Sequence, residues 1–193
     1  MTISVGSHGR HGDWMETYTG GQYWPCDPRV DEVNPLDVAH ALSNLCRFGG
    51  HAQRFYSVAE HAILMCDYVR VTLGRSREDC LLALMHDAAE AYTGDVPRPL
   101  KRTLQKSSVD FHDMLTRNEM VVAQRFGVPY KLPAWLKEVD DRILCDEREQ
   151  LLDTRRVNDW WEHSKGKLGV ELQFWTPKQA KIRFLKRLKQ LEA

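Results

Sequence analysis

LLALMHDAAEAYTGDVPRPLK, residues 81–101, begins as a helix and ends at two prolines. Leu81, Leu82, Leu84 and Met85 lead into His86-Asp87, and the apolar spacing predicts a helix from about Ser76 to Tyr92. Pro97 and Pro99 forbid its continuation, because proline removes a backbone donor and clashes with the preceding turn. Asp87 on a core-facing turn is costly unless it is paired or bound to a cation. Glu90 lies four residues after His86 and three after Asp87, so it projects over the same patch of helix surface.

Either side of this stretch the periodicity is also helical. LDVAHALSNLCRF (36–48) places Leu36, Ala39, His40, Leu42 and Leu45 near one face and ends at Gly49-Gly50. Ser57 reads as the N-cap of VAEHAILMCDYVRVTL, with Glu60 three residues on completing a capping box. Residues 107–126 form a further amphipathic helix, and Pro133 starts another over 133–155. A Trp-rich loop with a short strand (DWWEHSKGKLGVELQFW, 159–175) follows, its Trp160-Trp161 pair and Trp175 set to cover the last helix or an oligomer contact. Thr176-Pro177 reads as N-cap and N1 of a basic helix that packs through Ile182, Leu185, Leu188 and Leu191. The lead-in at 14–35 mixes Gly and Pro with Tyr18, Tyr23 and Trp24, and its aromatics must pack on something. The expected fold is all-α, an orthogonal bundle of six to eight helices. It forms a single domain over 17–193 behind a flexible tail at 1–16.

The bulk numbers narrow the function. At 193 residues the chain is large enough for a substantial core. Lys+Arg and Asp+Glu both total 27, so no global field draws in nucleic acid or an anionic membrane, and any anion site is built locally. No segment approaches the ~20 apolar residues of a membrane span. The five cysteines, 26, 46, 66, 80 and 145, form no CxxC pair and read as reduced thiols of a cytoplasmic protein.

His61, His86, Asp87 and Asp140 then stand out as a set. Taken singly each has a bland reading: His61 shares a face with Leu64, Met65 and Tyr68, as a hydrogen-bonded core histidine would. Together, four inward polar residues would each need a separate partner, whereas a metal satisfies them at once. Two imidazoles and two carboxylates with no thiolate suit a catalytic divalent ion with open water positions better than a closed structural zinc site. Asp140 leads a face through Ile143, Leu144, Glu147 and Leu151, and ranks above Asp141, which points with Leu144, Cys145 and Leu152. A second pair, His112-Asp113, has no accompanying ligands and reads as an exposed helix face.

These residues resemble the signature of the HD-domain metal-dependent phosphohydrolases: a histidine, a His-Asp pair and a distant aspartate on helices of one bundle. The resemblance covers about 17–190. It is closest to the small branch acting on nucleotides, namely bacterial 5'-deoxynucleotidases, phage-type dATP triphosphohydrolases and phosphohydrolases of nucleoside-antibiotic pathways. HDAAEAYTGDVPRPLK is similar to the deoxynucleotidase segment and RFYSVAEH to the phage and antibiotic members. The resemblance implies His61, His86, Asp87 and Asp140 as ligands of one divalent ion (Co, Mn, Mg, Fe or Zn). It also implies Glu90 as acid/base beside the attacking water, and Asp95 near the sugar hydroxyls. The expected partner is a small nucleotide, not a nucleic acid polymer or a membrane, and a homo-oligomer fits the branch. Phosphoryl transfer needs positive charge at the site. Arg54 and Lys101 are the first candidates, His51 a further donor, and Arg47 and Arg98 rank below. The leading expectation is hydrolysis of purine nucleoside triphosphates such as dATP or an analogue. The alternatives are a 5'-deoxynucleotidase acting on monophosphates and a non-catalytic metal- or nucleotide-binding regulator on the same scaffold.

Overall fold

The computed structural model describes residues 9–156 and 165–192, and the Trp160-Trp161 pair lies outside them. Its helices are α1 (Pro35–Asn44), α2 (Val58–Val71), α3 (Arg77–Met85), α4 (Glu90–Thr93), α5 (Arg98–Ser107), α6 (Val109–Phe126), α7 (Ala134–Leu151) and α8 (Pro177–Glu192). Two short antiparallel strands, β1 (Met15–Glu16) and β2 (Gln22–Tyr23), pair in the lead-in. The chain is an all-α bundle, as its periodicity indicates. Among the described residues no helix is long and apolar enough to cross a membrane, and all five cysteines are free.

Local chemistry sets most helix starts. The Asn34 side chain accepts from Leu36 N ahead of Pro35, and Ser57, Ser76 and Ser108 each accept from the backbone N–H three residues on. Thr176 and Gln179 cap α8 reciprocally. The core lies where α2 packs on α3 and α1 on α8, around Leu42, Met65, Leu84, Leu136, Ile143 and Phe184, all fully buried. α8 turns Ala180, Phe184, Leu188 and Leu191 inward, while Ile182, expected to pack, is mostly exposed.

Four features depart from the expected layout. The helix read over 76–92 breaks at the decisive dipeptide: α3 stops at Met85, residues 86–89 are turns, and α4 adds one turn. The proline stretch does not remain a loop, because α5 begins at Arg98 with Pro99 in a first turn that needs no backbone donor. No strand forms in 165–176. There the backbone donors of Leu168, Gly169 and Val170 go to Asp146, that of Leu172 to Gln150, and those of Gln173, Phe174 and Trp175 to Glu60. Glu60 therefore does not close a capping box; its buried carboxylate pins an extended strap instead. Folded structure also reaches back before residue 17, since the buried Arg10 bonds Asp27 and Glu32 and stacks 4.0 Å over Trp24. Tyr23 is buried too, stacked on Tyr92 at 3.7 Å.

Candidate metal centre

Two helices, α2 and α7, and the turn after α3 converge on a cluster. His61, in the first turn of α2, is fully buried. Its Nδ1 lies 2.5 Å from Glu147 Oε1 of α7, so Nδ1–H donates to that carboxylate and Nε2 is left facing inward. His86 is set the same way: Nδ1 lies 2.8 Å from Ala83 O, which fixes the proton there and turns Nε2 inward. The two Nε2 atoms end 3.2 Å apart. Asp87 Oδ2 lies 3.0 Å from His86 Nε2 and 3.7 Å from His61 Nε2, and Asp140 Oδ1 lies 3.5 Å from His61 Nε2.

That arrangement is unstable without a cation. With both Nδ1 protons committed, two imidazole lone pairs point at each other, and a proton or a metal ion has to lie between them. Burial and Arg47 push His61 downward, but Glu147 and Asp140 outweigh them and raise it to about 9. Burial likewise works upward on Asp87 and Asp140, yet the imidazoles hold both below the usual carboxylate range. A metal ion about 2.1 Å from each donor puts neighbouring donors roughly 3.0–3.4 Å apart, close to the separations found here. His61, His86 and Asp140 each present a ligand atom within 4.8 Å of the others, a group able to hold a metal ion. Asp87 borders the same space.

Asp141 is outside the cluster. Only 6 % of its side chain is exposed, and it is tied to Arg98 and Lys165. Asp140, which ranks above it from sequence, is the aspartate that meets His61, while the Asp141 carboxylate goes to these two cations. His112 and Asp113 are exposed on α6, as the lack of further ligands indicated.

A pocket beside the cluster is lined by His86, Asp87, Glu90, Thr93, Lys101 and Glu119, among others. Glu90 Oε2 is buried with no hydrogen-bond partner. Burial, reinforced by Asp87 and Asp95, pushes its carboxyl well above the ordinary range. Asp95 follows Gly94, whose positive φ of 78° turns the chain out of α4. Burial and Asp87 raise Asp95 while Arg47 pulls it down, so it shares the field of the centre. Lys101 Nζ lies 4.0 Å from Glu119 Oε1 on α6.

The order of the cations changes. Arg54 is exposed and stacks 3.6 Å over the Phe174 ring, and His51 is exposed at the end of a 3-10 turn. Neither lines the pocket. Arg47, ranked low from sequence, is buried at the centre. Its Nη2 donates to Glu147 Oε2 at 3.0 Å, Nη1 lies 3.7 Å from Asp87 Oδ2, and Nε is buried without a partner. The backbone aims it there: Arg47 N donates to Tyr56 O, and Phe48, Gly49 and Gly50 then take left-handed φ values of 57°, 59° and 82°. A left-handed phenylalanine costs roughly 1–2 kcal/mol, strain that the packed surroundings hold in place. Glu147, Glu119 and Arg47 are the residues sequence reasoning missed or undervalued. Only Glu147 left a signal, seven residues after Asp140 on one face.

No family model matches the chain. It is 36% identical over 138 residues to the uncharacterized protein YfdR of Escherichia coli strain K12, covering 72% of each. The chain belongs to the family of YfdR. It is also 35% identical over 127 residues to an uncharacterized protein of Rhodobacter capsulatus, covering 64% of this chain and 63% of that one.

Proposed function

We propose that the chain is an HD-type, metal-dependent phosphohydrolase acting on nucleotides. The observation that carries this reading is the pair of inward Nε2 atoms 3.2 Å apart, ringed by Asp87 and Asp140 and opening onto a pocket with a buried, unpartnered Glu90 oxygen. His61, His86, Asp87 and Asp140 would hold the ion. When bound, a divalent ion lowers the pKa of water and polarises a phosphoryl oxygen.

The rest is supplied by the chain. Glu90 Oε2, facing the pocket in a low-dielectric setting, holds a proton ready for the leaving oxygen. Arg47, with Nη1 beside Asp87, offers fixed positive charge where negative charge spreads in the transition state. Lys101 extends that charge toward the pocket mouth. Asp95, by the resemblance, would accept from a sugar hydroxyl.

Purine nucleoside triphosphates such as dATP are the leading substrates of this reading. One observation favours the alternative, nucleoside monophosphates: of the cations first expected to hold phosphates, Lys101 faces Glu119 at 4.0 Å and Arg54 lies away from the pocket, stacked on Phe174. Metal-loaded protein assayed on nucleoside mono-, di- and triphosphates, with chromatography of the products, separates the two. No phosphate, pyrophosphate or triphosphate released from any of them, with His86→Ala indistinguishable from the parent, ends the proposal.

A further inference from the structure

We infer that Arg98 is a positioning residue that presents Asp140 to the metal through a single oxygen. This rests on the metal reading above and adds a device to it. Asp140 has two carboxylate oxygens with different surroundings. Oδ1 faces His61 Nε2 at 3.5 Å, while Oδ2 accepts from Arg98 Nη2 at 3.0 Å. Arg98 also donates through Nη1 to Asp141 Oδ1 at 2.6 Å. One planar guanidinium thus spans two adjacent carboxylates of α7 from the first turn of α5, a fork that a lysine cannot reproduce.

The consequence is stereochemical. A carboxylate free to rotate can chelate an ion with both oxygens and occupy an additional coordination position. With Oδ2 committed to Arg98, Asp140 offers Oδ1 alone, and the position it leaves stays open to water or a phosphoryl oxygen. The charge of Arg98 is matched by Asp141, itself also tied to Lys165. Arg98 is the first residue of α5, and from there its guanidinium reaches the two aspartates of α7.

The test uses Arg98→Met, which keeps the unbranched stem and removes both Nη donors, and Arg98→Lys, which restores a single charged nitrogen. Co(II) is titrated into the full chain by calorimetry, and its visible spectrum, sensitive to coordination number and geometry, is recorded with the melting temperature of the metal-free protein. Arg98→Met is expected to weaken Co(II) binding 10- to 100-fold, as loss of a partner behind a ligand does, and to change the spectrum. Arg98→Lys is expected to recover part of both. Unchanged affinity and spectrum in Arg98→Met overturn the inference, even if the metal-free protein melts earlier, because a purely structural role predicts that result. Failure of the parent chain to bind Co(II) overturns the metal reading along with it, and so distinguishes the two failures.

Discussion

Raising the pH of the metal-free protein deprotonates His61, and the cost follows from its surroundings. His61 is fully buried, bonded to Glu147 at 2.5 Å and raised from 6.5 to about 9. At about 1.4 kcal/mol per pH unit between folded and unfolded pKa, the imidazolium contributes about 3 kcal/mol. Because the folded value is the higher, that stability is complete below pH 6.5 and lost as pH rises through about 9. For a chain of this size it is roughly 6–12 °C of melting temperature. Thermal unfolding with chelator between pH 6.5 and 9.5, compared with His61→Gln, isolates the term, since glutamine does not titrate. A divalent ion takes the place of the proton, so its apparent affinity should rise about tenfold per pH unit up to about 9 and cancel the loss. Coincident pH slopes for the parent and His61→Gln without metal would refute the reasoning.

Three further outcomes are expected. Glu147→Gln removes the charge behind His61 and Arg47, and should weaken metal binding 10- to 100-fold by calorimetry while taking from the buried Arg47 its nearer carboxylate partner and leaving Asp87 at 3.7 Å, at a stability cost of about 3 kcal/mol in denaturant unfolding. Glu90→Gln should lower the phosphate-release rate about 10²- to 10⁴-fold, with metal affinity unchanged because Glu90 is not a ligand; equal loss of metal would contradict its role. Glu60→Gln turns an amide N–H toward at least one of the three backbone donors of the strap, and should cost about 1–3 kcal/mol in urea unfolding, with protease cleavage within 168–175 as the local readout.

Legibility differed from residue to residue. His61, His86, Asp87 and Asp140 were readable because each interrupts a helical apolar face, where an unpaired polar side chain is costly. The caps at Ser57 and Thr176 were readable because they involve residues three apart. Glu60 was misread for the same reason: a glutamate at the capping-box position looks local, yet its partners lie 113–115 residues away. Arg47 follows a helix end and precedes three left-handed residues, so no periodicity marks where it points. Arg98, between two prolines, lies where helix signals fail, and its bonds span 42 and 43 residues.

The sequence by itself determined the all-helical class and the segment that brings His86, Asp87 and Glu90 together as candidates. Those are consequences of local spacing, which sets helix faces within a few residues. Tertiary structure alone decided which atoms meet. It turned both Nε2 atoms inward by committing Nδ1 to Glu147, 86 residues away, and to Ala83. It put Arg47 in the centre and left Arg54 at the surface. Helical periodicity names the side of a helix but not its rotation or height against its neighbours, and a metal centre depends on those to within an ångström.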